Sequence, residues 1–388
     1  MHTNEAEDID RARSMYAAAV QSRLPAEYAE AEESFAELLK AKCLDDYVRH
    51  HPPRVRLIES AVEKALSSIE PIPVEAFKSH SGQADDCARL FLQRVLYRIN
   101  RLKLFWFDDL NNYDNEHSAY LHELRDRIEQ AWQAWELSFL NIAALRRENV
   151  PEALLSRAAY DVSPPPSPSG LYFREHVGQI GYRRLLAIAS LDGLVEASQL
   201  SRTLGGVSND IHSMLTRVLV EEYGGGKLNR KHSTFFTAML NELEMRTEPE
   251  AYFDLVPWEV LVGINHSFLL SERKRFYLRY VGGLLYTEIS VPAAFDNYRA
   301  AAERLVLPKA ARGYWELHIR EDKRHGQWML YDIALPLAAR YPAEAWEITL
   351  GYDQQKLISE RSGASVARSV RAAEVEAARQ QAIRQSAA

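Results

Sequence analysis

Apolar residues recur at three- and four-residue spacing along most of the chain, and this period predicts a protein built almost wholly from helices. The spacing is clear in "ESFAELLKAKCLDDYV" and in "ELRDRIEQAWQAWELSFLNIAALRRE". Runs of β-branched residues in strict alternation, which would indicate strands, are few. The predicted fold class is therefore all-α.

Prolines divide the helical pattern of the first half of the chain. Breaks are expected at Pro25, at Pro52–Pro53 and at Pro71–Pro73, because proline lacks the amide hydrogen of a helical bond and its ring clashes with the preceding turn. We expect residues 1–160 to form a helical N-terminal domain.

A proline-rich segment, "DVSPPPSPSG", then stops the pattern at residues 161–170. Such a run has neither the donors for a helix nor the apolar side chains for a core. The sequence predicts a domain junction here. The alternative is a long loop between two helices of one domain.

The helical pattern resumes in residues 171–345, which we expect to form a second domain. From Arg361 the chain is rich in Ala, Arg, Glu and Gln, so residues 346–388 are predicted to be a frayed helix or a disordered tail that buries little surface. Before that tail, helices are predicted over Arg174–Thr203, Ser208–Tyr223, Asn229–Met245, Pro257–Leu270, Ser271–Val291, Ala293–Leu305 and Lys309–Tyr341.

Composition narrows the functional classes. The chain has 388 residues, a net charge of -7 and a pI near 6.0, which argues against nucleic acid or an anionic membrane as the main partner. Its two cysteines are too few for a disulfide framework. No signal-peptide or membrane-spanning run is visible. A cytoplasmic protein is expected.

The densest chemical signal is "WELHIREDKRHGQW", where His318, Asp322 and His325 stand at positions i, i+4 and i+7 of a helical stretch. At about 100° per residue these side chains share one helix face and can point at one ion. Imidazole together with carboxylate suits iron, manganese or zinc. The alternative is a solvated face, where charged residues at this spacing are common.

A second signal is "VEEYGGGKLNRKH", in which Glu222 closes one helix and His232 opens the next. Three glycines between them permit a close reversal of the backbone, which would bring Glu222 near His232. The alternative is an ordinary helical hairpin with both side chains in water.

Two more carboxylates, Glu196 and Glu288, sit in apolar helical surroundings. A buried carboxylate needs a cation or a donor, so both are candidate ligands. Pro292 removes the amide that would bond the Glu288 carbonyl, and a kink or a loosened helix is expected there. No histidine has a glutamate three residues before it, which excludes the paired Glu-x-x-His pattern of ferritin-like proteins.

Taken in order, Glu196, Glu222, His232, Glu288, His318, Asp322 and His325 resemble the ligand set of the haem-oxygenase-like diiron oxidases, and within them the N-oxygenating branch. The resemblance covers about residues 170 to 345 and implies a bundle of about seven helices. It also implies two iron ions, dioxygen as co-substrate and an external electron donor. It gives no further catalytic residue and no other cofactor site.

The resemblance also suggests how the ligands are divided. One iron would be held by Glu196, His232 and His325. The other would be held by Glu288, His318 and Asp322, with Glu222 as the bridge between the two.

The function that the resemblance implies is N-oxygenation of an amine or guanidine in specialised-metabolite biosynthesis. The substrate would be an amino acid or a derivative, free or tethered to a carrier protein, and the N-terminal domain would help to form a homodimer. One alternative is oxidative C–C cleavage of an amino or fatty acid. An alternative of another class is a non-catalytic helical binding protein, which would hold no iron.

The remaining histidines are poor ligand candidates, because none has a second ligand at helical spacing that joins the set above. We expect them to be solvated or hydrogen-bonded. Glu221 and Glu321, next to proposed ligands, are the positions to suspect if an assignment is off by one. The excluded histidines are His50, His51, His117, His122, His176, His212 and His266.

Overall fold

A computed structural model describes residues 24–69, 83–105 and 114–387 of the chain. Within these ranges the protein is helical and contains no strand, which confirms the all-α class. The predicted breaks at Pro71–Pro73 lie outside the described residues. The helices are α1 Ala26–Leu38, α2 Leu44–His50, α3 Pro52–Ser67, α4 Gln83–Arg101, α5 Ala119–Leu137, α6 Ile142–Leu145, α7 Val150–Asp161, α8 Pro168–Glu175, α9 Gln179–Gly193, α10 Asp210–Glu222, α11 His232–Glu242, α12 Trp258–Glu272, α13 Tyr277–Arg304, α14 Gly313–Gln327, α15 Leu335–Arg340 and α16 Trp346–Ala387.

The helices before residue 138 pack around one hydrophobic core. Phe35, Ile58, Phe91 and Ile128 are fully buried in it. Helices α12 and α16 contribute Val262 and Ile358 to the same core. The N-terminal helices therefore pack on the later part of the chain, while the division at 161–170 stays a prediction.

The second half contains the helices α8 to α15, slightly more than the bundle of about seven helices that the resemblance implied. The helix predicted over Arg174–Thr203 ends at Gly193, and a turn follows over residues 194–199. Glu196 therefore lies in a turn, where the next residue, Ala197, has a φ of 62°. That left-handed conformation is uncommon for a residue with a side chain.

The predicted break between Val291 and Ala293 is wrong, because α13 continues through Pro292. The proline removes one helical bond, but residues on both sides of it, such as Ile289 and Ala301, are buried in the packed interior. That packing keeps the two halves in one helix. The helix predicted over Lys309–Tyr341 is instead α14, a π-helical turn at Trp328–Ala334 and α15.

The expectation that the C-terminal segment buries little surface is also wrong. Helix α16 crosses α13 in close contact, since a Cβ on Gly282 would overlap the carbonyl oxygen of Ile348. Further along α16, Ala367 and Val370 are buried. Small side chains let this helix approach its neighbours closely, which a count of large apolar residues does not detect.

None of the helices in the described part of the chain combines the length and the apolar character that a membrane span requires.

Candidate metal centre

Helix α14 carries His318, Asp322 and His325 on its inner face. Their exposed fractions are 4%, 3% and 0%, whereas Lys323 and Arg324 between them are exposed. The helical period that predicted a shared face thus also separates the buried side chains from the solvated ones.

The glycine turn brings Glu222 and His232 together. Glu222 is the last residue of α10 and His232 the first of α11, and Glu222 Oε2 lies 2.8 Å from His232 Nδ1. Gly224, Gly225 and Gly226 all have positive φ, and a Cβ on Gly224 would overlap the backbone at Arg230. Only glycine adopts this conformation at no steric cost.

Glu196 and Glu288 complete the cluster from opposite ends. Glu196 Oε1 lies 2.9 Å from His318 Nε2, and Glu288 Oε2 lies 3.3 Å from His325 Nδ1. Glu288 is buried in the middle of α13, and the carbonyl of Glu288 faces Gly326 of α14. The missing side chain of Gly326 allows α14 to approach α13 next to His325.

The seven residues form two groups of four that share Glu222. Within each group, one ligand atom from every residue lies within 4.8 Å of the others. The division suggested by the resemblance is therefore wrong in one respect: His318 and His325 exchange places. They stand seven residues apart, about 10 Å along a helix, so each reaches the group at its own end of α14. The two groups are Glu196, Glu222, His232 and His318, and Glu222, Glu288, Asp322 and His325.

Tyr314 supports the first group and is not among the residues predicted from the sequence. Its hydroxyl donates to Glu196 Oε1 at 2.7 Å, and its carbonyl oxygen lies 2.9 Å from His318 Nδ1. The ring packs on the His318 imidazole with centroids 4.3 Å apart. The bond from Nδ1 fixes a proton there and turns Nε2 toward the carboxylates. The only available signal was the position of Tyr314 one turn before His318.

Glu221 supports the second group. Its Oε2 lies 3.0 Å from His325 Nε2, so the other ring nitrogen, Nδ1, faces the carboxylates. Arg324 also binds Oε2 of Glu221, at 2.5 Å. Neither Glu221 nor Glu321 belongs to either group of four. Glu221 instead orients a member of the set from behind, as carboxylates do for metal-binding histidines.

Comparison with known proteins shows what the part of the chain that carries this cluster is similar to. Residues 183–354, which contain all seven side chains, match the family model described as iron-containing redox enzyme. This segment is therefore similar to iron-containing redox enzymes. The nitrosourea synthase of Streptomyces achromogenes subsp. streptozoticus is 27% identical over 170 residues, which cover 44% of this chain and 36% of that protein. The matched region is thus little more than a third of the relative's length.

The electrostatics of the seven-residue cluster fit a cation. Burial disfavours a charged imidazole, but Glu196 and the other carboxylates outweigh it and raise the pKa of His318 to about 10. By the same balance, Glu222 and Glu288 raise the pKa of His325 to about 11. Burial also raises the pKa of Asp322 well above its usual value, and Glu288 adds to this. In the metal-free protein, protons therefore take the place of positive charge among the carboxylates.

Two buried carboxylate oxygens among the seven side chains, Glu196 Oε2 and Asp322 Oδ1, have no hydrogen-bond partner. Leaving a buried polar atom unpaired costs roughly 1–3 kcal/mol. Four carboxylates and three imidazoles with free atoms turned inward are a donor set that suits iron. The residues present therefore fit an iron site.

The described histidines outside the set of seven residues lie near other groups. His212 Nε2 lies 2.7 Å from the carbonyl oxygen of Leu204, and the His51 ring stacks on Tyr47. His266 is buried near Gln133. Within the described ranges none of them joins a group of metal-binding side chains.

Proposed function

We propose that this chain is a non-haem diiron oxygenase that uses dioxygen to oxidise a nitrogen atom of an amine or guanidine. The observation that carries the proposal is the sharing of Glu222 by two groups of four donors. A carboxylate has two oxygens, and those of Glu222 already face different histidines, His232 and His325, at 2.8 and 3.3 Å. This is the arrangement that a bridge between two ions requires.

Each ion would have ligands from several helices. Glu196, His232 and His318 would hold one ion, Glu288, Asp322 and His325 the other, and Glu222 both. Iron bound there would supply the electrons that reduce dioxygen, with an external donor restoring them. Because four carboxylates balance two divalent ions, the loaded site would carry no net charge from these groups.

The protein itself contributes orientation and the exclusion of water. Six of the seven side chains, all except Glu196, are buried. The ring of Phe295 packs against His318 with centroids 5.4 Å apart, which gives the site an aromatic wall. An apolar wall disfavours a protonated amine. That favours the neutral form, whose nitrogen lone pair is free to react.

The similarity to a nitrosourea synthase supports nitrogen as the atom oxidised. An amino acid or an amino-acid derivative, free or carrier-bound, is the proposed substrate class. We also propose that the protein is cytoplasmic and that it forms a homodimer. Sedimentation of the purified chain would test the dimer.

The experiment that tests the function has two parts. Anaerobic titration with ferrous ion should give two ions bound per chain, and His232→Ala should lose one of them. The control is His176→Ala, which changes an exposed histidine that belongs to neither group of four. A product richer in oxygen supports N-oxygenation, whereas a product that has lost carbon indicates C–C cleavage. Binding of no iron by the unaltered chain would refute the proposal.

A further inference from the structure

A small cavity lies where the N-terminal helices meet the helix α12. Helices α4, α5 and α12 enclose it, and its volume is about 10 Å³. Several polar side chains line it, among them Glu129 and His266, both 4% exposed. A cavity of this size is close to the space that one water molecule needs.

A chain of hydrogen bonds ends at this cavity, and its direction can be followed from a buried carboxylate. Glu136 is fully buried, and its Oε1 accepts from Arg361 at 3.4 Å. A carboxylate paired with a guanidinium accepts hydrogen bonds and donates none. Its Oε2 therefore accepts from the Gln354 amide nitrogen, at 2.8 Å.

The same amide nitrogen of Gln354 fixes the next members of the chain. It donates to Gln133 Oε1 at 3.1 Å, which leaves the Gln133 amide nitrogen facing His266 Nδ1 at 3.5 Å. Since the amide nitrogen can only donate, His266 Nδ1 is the acceptor. A neutral imidazole carries its proton on the other nitrogen, so His266 Nε2 is a donor.

That donor has no partner. His266 Nε2 is buried and makes no hydrogen bond, whereas Glu129 Oε2 on the cavity wall is paired with Arg273 and can accept a further bond. Burial, together with the nearby charge of Arg279, lowers the pKa of His266 to about 3. The ring is therefore neutral at physiological pH and cannot form an ion pair with Glu129.

We propose that this cavity binds one ordered water molecule, which accepts from His266 Nε2 and donates to the Glu129 carboxylate. Water is the ligand that matches both groups, because it donates and accepts and fills about this volume. The water links α5, from the N-terminal helices, to α12, from the part of the chain that carries the metal centre.

The first test is a crystal structure of the full chain at a resolution that shows ordered waters. Density for one water within hydrogen-bond distance of both His266 Nε2 and Glu129 is expected. A cavity without density, or one closed by a rotated His266 ring, would overturn the proposal.

The second test uses stability. Val262 lines the cavity, and Val262→Ile adds one methyl group next to it. If the methyl group displaces a water, the His266 donor loses its partner and the urea midpoint of unfolding falls. In a dry cavity the same methyl group fills empty space and the midpoint rises. A rise would contradict the proposal.

The control repeats the change in a His266→Leu background, where the His266 Nε2 donor is absent. There, Val262→Ile should leave the midpoint unchanged or raise it. A loss of the same size in both backgrounds would show that the fall does not come from the His266 donor, and it would contradict the proposal.

Discussion

Tyr314→Phe removes a single oxygen atom from the support of the first metal position. The hydroxyl that is lost donates to Glu196 Oε1 at 2.7 Å. Phenylalanine keeps the ring that packs on His318, and the backbone carbonyl at position 314 still accepts from His318 Nδ1. The change therefore isolates the hold on Glu196.

The size of the effect follows from the kind of bond. A hydrogen bond to a charged group contributes about 1.5–3 kcal/mol, and about 1.4 kcal/mol corresponds to a tenfold change in a binding constant. Without this bond Glu196, which lies in a turn next to the left-handed Ala197, must be ordered by the metal itself. We expect affinity at the first position to fall by about 10- to 100-fold.

The measurement is an anaerobic titration with cobalt(II), whose visible absorbance reports ligand binding at each position. Two binding steps are expected for the unaltered chain, and in Tyr314→Phe only one should weaken. The matched control is Tyr182→Phe. Tyr182 is also a buried tyrosine, but its hydroxyl donates to the Ala311 carbonyl at 3.0 Å and touches none of the seven residues.

Tyr182→Phe should lower the free energy of unfolding and leave both cobalt affinities unchanged. If Tyr314→Phe left both affinities unchanged, or weakened both equally, Tyr314 would have no specific role in positioning Glu196.

Three further expectations concern the supports of the site. Glu221→Gln should weaken cobalt binding at the second position about 10-fold. Glu321→Gln should not, although Glu321 is also a partner of Arg324. Equal effects of the two changes would mean that Glu221 does not orient His325. Gly225→Ala, with open space around it, should lower the free energy of unfolding by the roughly 1–2 kcal/mol expected of a left-handed alanine. Gly224→Ala should lower it by more, because its Cβ would also overlap the backbone at Arg230. Urea unfolding measures both. Neighbouring carboxylates outweigh burial and raise the pKa of His318 to about 10, so metal binding at neutral pH must displace a proton from this imidazole. Cobalt affinity should therefore rise with pH, and protons should be released in a weakly buffered titration. An affinity that does not depend on pH would contradict this.

The part of the site that depends on one helix could be predicted from the sequence. His318, Asp322 and His325 needed only the period of α14, and Glu222 and His232 needed only the glycine turn. The division of the histidines between two groups could not be predicted this way. It depends on how far α14 advances between His318 and His325 relative to the other helices, and a pattern along one chain does not contain that distance.

Other parts of the fold depended on packing that composition does not reveal. Pro292 suggested a break, but buried neighbours hold α13 in one piece. The alanine-rich end of α16 suggested a tail, but Ala367 and Val370 within it are buried, and Gly282 and Gly351 let the start of the same helix cross α13 closely. Tyr314 and Glu221 were missed as supports because their roles lie in contacts across the fold, namely to Glu196 for Tyr314 and to His325 for Glu221.

Helix α14 sets the distance between the two proposed metal positions. Since His318 serves one group and His325 the other, the number of residues between them sets both a distance and a rotation. One inserted residue would turn His325 by about 100° away from its group while leaving His318 in place. The loop from Glu222 to His232 carries no such constraint, because its ends need only meet. A search for further proteins of this kind should therefore hold the spacing within α14 constant and let the length of that loop vary.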